Sequence, residues 1–465
     1  MNNPEKQPVS SLPSYITSAT PNPKSNRAPW YKTTAQTYAG IFLWFAFWDK
    51  MSGNGLSVGG LGPVLIGVVL GAIICHFLFY LVPGILGMQT GLPLYIVGTS
   101  TFGAMGGLIM PGFLMGALQF GWLAVNSYFS AGALVAGFDA PALRIPICII
   151  WTVAAAFVGM KGIQYVARVA TYLPLIPLVV LIVGLVLFAG SAGDYKPAAD
   201  AAASGGAMKA ALAMIAAIVG FFATAGAAGV DICMSNRDKR DVSLGGIVGI
   251  IIAVIFTAGI SVIAVAGAQA SHVVDPANPE SIKMTFALGA KLSKGMFAAT
   301  MIGLTLAAFP GACFSSFIAA NSFKTTMPKI NPFVSVGLGA VVSIILAVTG
   351  AAGNLGSVFG LIGASFGPIV GAMVVDYLLS GGQWSGPRAG FNPAGWVAWL
   401  VGFIVGILPN EMLPASVRVD VPCAPVAAFI VGAVLYFVLA KMGLQTQVIP
   451  LPAKASTPAP EAAAK

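Results

Sequence analysis

Apolar runs of about twenty residues follow one another along almost the whole chain, separated by short polar stretches. A helix that crosses a bilayer needs about 20 mostly apolar residues. Twelve segments qualify: 34–58, 62–86, 103–131, 143–160, 163–191, 207–230, 244–270, 296–320, 332–350, 354–379, 394–410 and 421–442. The third and fifth are long enough to tilt or to extend past the bilayer. The pattern predicts an all-α polytopic membrane protein with twelve transmembrane helices.

Composition agrees. Of 465 residues, 57% are hydrophobic and 8% charged, whereas a water-soluble domain carries charge on about a quarter of its residues. The net charge of +9 could suggest nucleic acid, but the basic residues stand in short loops between apolar runs. A nucleic-acid partner is therefore not expected; the partners are the lipid bilayer and a small molecule. Lys and Arg concentrate on the side that keeps both termini cytoplasmic, as the positive-inside rule requires, in an inner or plasma membrane. The opening NPEKQPVSSLPSYITSATPNPKSNRAPW has no apolar core or cleavage site, so it reads as an uncleaved cytoplasmic tail. LPAKASTPAPEAAAK at the end is low-complexity and expected to be disordered. The 5 cysteines show no CxxC pairing and only 2 histidines exist, which excludes histidine-based metal or acid–base clusters. No catalytic residue, resident metal or cofactor is expected.

Four spans carry features that a lipid-facing helix does not need. WFAFWDKMSGNGLSVGG (44–60) places the charge pair Asp49 and Lys50 inside the first. A charge at mid-membrane costs about 2.5–3.5 kcal/mol on insertion scales, so both must face protein or water. Neighbours on a continuous helix point about 100° apart. Either the helix unwinds here, as Gly53, Asn54 and Gly55 allow, or each charge meets another helix. In the bland alternative the pair lies near the external interface, with Lys50 snorkelling. GALQFGWLAVNSYFS in the third span puts Gln119, Trp122 and Asn126 on one face. Such a stripe suits a flat heterocycle, and equally suits amide bonding between helices. In the sixth span, AIVGFFATAGAAGVDICMSNRDKRD follows Phe221 and Phe222 with a Gly/Ala run containing one Thr. Such a run serves close packing or a discontinuity beside a ligand. Asp231 and RDKRD are expected in a solvated loop. In the eighth span, Pro310–Gly311 should kink the helix. Ser315, Ser316 and Asn321 then offer oxygens, or the serines simply bond back to the i−4 carbonyl.

Together these stretches resemble the nucleobase:cation symporter family that includes cytosine and hydantoin permeases. The resemblance runs over about 27–380: NRAPWYKTTAQTYAGIFLW, MQTGLPLYIVGTSTFG, QFGW, GFFATAGAAGVD, ACFSSFIAAN and GPIVGAMVVDYLL. It implies a five-plus-five inverted repeat with helices 1 and 6 broken at mid-membrane, plus two peripheral helices. The domains would then be an N-terminal tail (1–33), the ten-helix core (34–379), the peripheral helices (380–442) and a C-terminal tail (443–465). Trp122 matches the Trp that stacks on the substrate ring, and Gln119 and Asn126 match amides that read its edge. Phe222, next to Phe221, takes the place of an aromatic closing on the other side, and Asn321 matches a substrate-contacting Asn. Ser315 and Ser316 fall on a Ser–Thr pair that binds Na⁺, with carbonyls of Ala312 and, in the first span, near Ala46 and Asp49. The chain departs from the family at several points. It lacks the TTNDN-like run of cytosine permeases and has Ala228 where many members have Asn. It reads DICMSNR in place of DFSRF, and IVGTSTFG where an Arg often stands. Its Asp49–Lys50 pair has no general counterpart.

These features point to a secondary active symporter importing a nucleobase or related planar nitrogen heterocycle with Na⁺ or H⁺. The alternatives are an amino-acid or amine symporter with Asp49 pairing an ammonium, and a cation-independent or proton-coupled carrier in which Lys50 replaces the ion. A membrane enzyme would need a constellation that the sequence does not supply.

Overall fold

The structure is a computed structural model that describes residues 12–39, 48–49, 52–161, 173, 175–197, 206–273 and 284–451. Lys50 and Ala46 lie outside the described residues, as does the end of the C-terminal tail. Among the described residues all regular structure is helical, and nine helices are long and apolar enough to cross a membrane. In chain order the elements are α1 (Thr34–Ala39), α2 (Ser52–Gly59), α3 (Leu61–Thr90), α4 (Leu108–Phe138), α5 (Pro141–Lys161), α6 (Leu175–Asp194) and α7 (Gly206–Ala227). They continue as α8 (Gly229–Cys233), α9 (Lys239–Ala270), α10 (Met284–Lys291), α11 (Lys294–Thr326) and α12 (Pro332–Val348). α13 (Leu355–Leu379), α14 (Pro393–Ile407) and α15 (Ala424–Lys441) complete the chain. α12 and α14 are apolar but shorter than the nine.

Large apolar side chains cover the outside: Phe77, Ile150, Val186 and Leu338 are all exposed. That surface suits lipid, and the chain is an integral membrane protein. Lipid offers helices no hydrophobic gain on association, so close packing and hydrogen bonds must hold the bundle together. Gly159 shows how: a Cβ there would collide with the Cys313 carbonyl, so only glycine lets α5 lie directly on α11. α4 and α11 are antiparallel, with Gly137 near the end of one against Met301 near the start of the other, and Gly116 against Ser322.

Two expectations change, those for SGNG and Asp231, while the Gly/Ala run of the sixth span does hold a discontinuity. The SGNG of the first span is helical within α2, because Gly55 is packed against Val64 and Met214 and that contact outweighs its weak helix propensity. The turn from the first span to the second falls at Gly60, whose φ of 81° is accessible to glycine, and residues 40–47, 50 and 51, where the first span could break, lie outside the described residues. α7 is unbroken through Phe222 and Thr224; the discontinuity falls at Ala228, and the Ala225 carbonyl there accepts the Tyr38 hydroxyl at 2.9 Å. Asp231 is not simply solvated. It is half-buried and accepts the Leu94 N–H at 3.0 Å, while Arg237–Arg240 are exposed.

Both terminal segments are tied down where described. In the N-terminal strap, Leu12 and Ile16 are buried and the Tyr15 hydroxyl donates to the Ala104 carbonyl. Asn22 donates to the carbonyls of Gly91 and Met234, and Arg27 to that of Met88 at 2.7 Å. Carbonyls too close to a helix C-terminus to be satisfied internally explain such docking. At the other terminus Ala389 N–H donates to Gln447 and Ile449 N–H to Pro387. Beneath that ladder lies a buried ion pair, Asp376 Oδ1 to Arg388 Nη2 at 3.3 Å. Tyr436 donates to the same oxygen at 2.7 Å, and Arg388 Nε donates to the Ser100 carbonyl. The pair fastens α13, α15 and the segment before α4 to one another.

Candidate functional site

The stripe on α4 faces α7, α11 and α13. Trp122 is the hub. Its indole Nε1–H donates to the Thr224 hydroxyl of α7 at 3.2 Å. Its ring meets Phe221 edge-on, with centroids 5.0 Å apart at 84°, and Phe359 of α13 at 5.4 Å and 34°. Phe221 and Phe359 also meet edge-on at 5.3 Å. Offset and edge-to-face arrangements are those the ring quadrupoles favour.

The sequence expectation for α7 needs correcting here. Phe222, not opposite Trp122, lies against Tyr38 at 5.7 Å. Consecutive helical positions differ by about 100°, so only one of the two phenylalanines can face α4. It is Phe221.

Asn126 supplies the polar element. Its Nδ2 donates to the Trp122 carbonyl at 2.9 Å. A carbonyl can only accept, so that bond fixes the amide orientation and leaves Oδ1 as the open atom. Oδ1 is buried and has no hydrogen-bond partner among the described residues. It points at the Gly311 side of α11, where a Cβ would stand 3.9 Å away. Gln119, one turn below Trp122, is buried and, among the described residues, makes one long contact from Nε2 to Met115 Sδ at 3.6 Å. Asn321 is exposed, with its carbonyl accepting from Thr325, and does not join this cluster through any contact described.

Ser315 and Ser316 are buried on α11. Ser316 donates to the Ala312 carbonyl at 3.3 Å, so two of the expected cation oxygens are bonded to each other. Such i−4 back-bonding is the usual resting state of a helical serine. Asp49 is engaged elsewhere: Thr285 donates to Oδ1 through its N–H at 3.1 Å and to Oδ2 through its hydroxyl at 2.7 Å. Among the described residues no group of three or more His, Cys, Asp or Glu could hold a metal ion.

Sequence reasoning missed Thr224 and Phe359. Thr224 had a faint signal as the one hydroxyl in the Gly/Ala half of its span. Phe359, in SVFGLIG, had none.

A bundle of apolar helices with a buried aromatic and amide cluster between α4, α7 and α11 defines the class as an all-helical integral membrane fold. A structure titled as an inward-facing conformation of Mhp1 matches over 95% of this chain and 97% of that chain, at TM-score 0.69 and 17% identity. A closed conformation of Mhp1, described as a nucleobase-cation-symport-1 family transporter with bromovinylhydantoin bound, matches over 92% and 97%, at 0.60 and 19%. A Na⁺-coupled sialic acid symporter in a substrate-bound outward-open state matches over 96% and 95%, at 0.60 and 13%. No family model and no curated protein sequence matches the chain. What is shared at these identities is the fold.

Proposed function

We propose that the chain is a secondary active symporter that imports a nucleobase or related planar nitrogen heterocycle together with a cation, by alternating access. The observation that carries this reading is the pairing of Trp122 with the unpartnered Oδ1 of Asn126 one turn away. A buried acceptor without a donor costs about 1–3 kcal/mol, and Oδ1 has no donor among the described residues. A ring N–H beside a stacked aromatic face meets that need. The bromovinylhydantoin of one structural neighbour is such a ring. Phe221 and Phe359 confine the ring, and Gln119 offers a second amide to its edge. Phe222 and Asn321 act from farther away.

Na⁺ is the favoured cation, held by Ala312, Ser315 and Ser316 with first-span carbonyls near Ala46 and Asp49. The Na⁺ coupling of the sialic acid symporter supports this choice, and H⁺ is the second candidate. The proposed architecture has twelve spans. α1 and α2 form the first, the inverted repeat of ten occupies 34–379, α14 and α15 are peripheral, and both termini are cytoplasmic.

Uptake of radiolabelled heterocycles by proteoliposomes, with and without an imposed Na⁺ gradient, tests the reading. The expected result is Na⁺-stimulated uptake of at least one nucleobase or hydantoin, strongly reduced in Asn126→Leu. Uptake of amino acids that excess nucleobase leaves untouched would overturn it.

A further inference from the structure

We propose that Asp49 is the latch of a lid: its carboxylate holds the short helix α10 over the end of the bundle remote from the N-terminal strap. Release of that bond then accompanies opening of that end. The location follows from the helix order. The strap is bonded to Gly91 at the end of α3 and to Met234 and Ser235 just after α8. α9 runs from there to Ala270, and α11 begins its return at Lys294, so α10 sits at the opposite end.

α10 is wedged rather than loosely draped. Met284, Ala287 and Leu288 are buried to 1%, 0% and 1% exposure. The Met284 methyl and the Trp48 ring both close over Gly184 of α6, where a Cβ would touch each. Yet a helix of eight residues is too short to be stable by itself. Its position depends on what ties it down, and Asp49 supplies two donor–acceptor bonds from a residue adjoining that packed Trp48. One of them satisfies an N–H of the first turn, which has no partner within the helix, and a carboxylate there is also favoured by the helix dipole.

A charge suits a contact that must be broken and remade. A permanent cap would work as well with Ser or Asn, without the expense of a carboxylate in an apolar segment. Asp49 is half-buried, so its carboxylate stays within reach of water once the helix lifts. This gives the Asp in WFAFWDKMSGNG a task separate from cation or substrate binding.

The test reads access to the buried face of the lid. Leu288→Cys is introduced into a Cys423→Ser background of the full chain in lipid nanodiscs, and its rate of reaction with a membrane-impermeant maleimide is measured. The parent should react slowly. Asp49→Ala and Thr285→Val should each accelerate the reaction at least tenfold, the two together no further, and Thr285→Ser should restore the slow rate. Unchanged rates in both single variants would overturn the latch. Accelerations that multiply in the double variant would do the same, because two residues acting through one bond cannot add. The measurement needs no substrate or ion, so its failure is distinct from failure of the transport reading.

Discussion

Trp122 of α4 and Thr224 of α7 are joined by a single hydrogen bond, indole Nε1–H to hydroxyl at 3.2 Å, across 102 residues of sequence. The bond fixes the indole plane, and through it the orientation of the ring that Phe221 and Phe359 surround. Stacking of a base on an aromatic side chain is worth about 1–3 kcal/mol. Trp122→Ala should therefore weaken heterocycle binding about 10–100-fold, measured by calorimetric titration of the purified protein. Thr224→Val, which removes only the orienting bond, should cost about fivefold, in line with about 1 kcal/mol per hydrogen bond. Unaltered affinity in Trp122→Ala would show that the ligand ring lies elsewhere.

The proposed cation site makes a prediction that needs no substrate. Ser316 now bonds to the Ala312 carbonyl, and Na⁺ would have to replace that bond. A ligand at about 100 times its Kd stabilises the state it binds by about 2.7 kcal/mol. Replacing choline by Na⁺ should raise the Tm of the wild type, and Ser315→Ala and Ser316→Ala should each abolish the rise. A Na⁺-induced rise that survives both substitutions would remove these serines from the site.

The Asp376–Arg388 pair is buried, and its partners matter unequally to stability. Removing one member leaves the other charged and unpaired, at about 3–5 kcal/mol, whereas replacing both by apolar residues is often close to neutral. Asp376→Leu and Arg388→Met should each lower the thermal unfolding temperature in detergent. The double variant should lie nearer the wild type than either single variant. Additive losses would mean that Tyr436 and Ser100 contacts, not the ion pair, dominate.

Asp231 gives the chain a pH dependence at the strap end. Burial pushes its carboxyl up from 3.8 to about 6, against the opposing bond from Leu94 N–H. Raised above its unfolded value, the group binds a proton more readily in the folded protein. Folding is therefore favoured at low pH, and stability declines as pH rises from about 4 to about 6, by about 3 kcal/mol in all. Thermal unfolding across that window should show the decline in the wild type and a flatter profile in Asp231→Asn. Identical slopes would place the titration on another group.

That the chain is a succession of apolar membrane helices was legible in the sequence because bilayer thickness dictates run length before any tertiary contact forms. The α4 stripe of Gln119, Trp122 and Asn126 was legible for the same kind of reason: helical period alone puts these residues on one face. What no period can supply is the rotation of one helix against another. Phe221 and Phe222 are equivalent in sequence, and only the packing of α7 between α4 and α1 turns Phe221 to Trp122 and Phe222 to Tyr38. SGNG reads as a breaker until Val64 and Met214 close on Gly55. Thr224, Phe359 and Thr285 became partners of Trp122 and Asp49 only through contacts between segments remote in the chain. The sequence by itself determined that the chain is a bundle of membrane helices with polar groups it must bury. Tertiary packing decided which of those groups satisfy one another, and among the described residues it gives Oδ1 of Asn126 no donor.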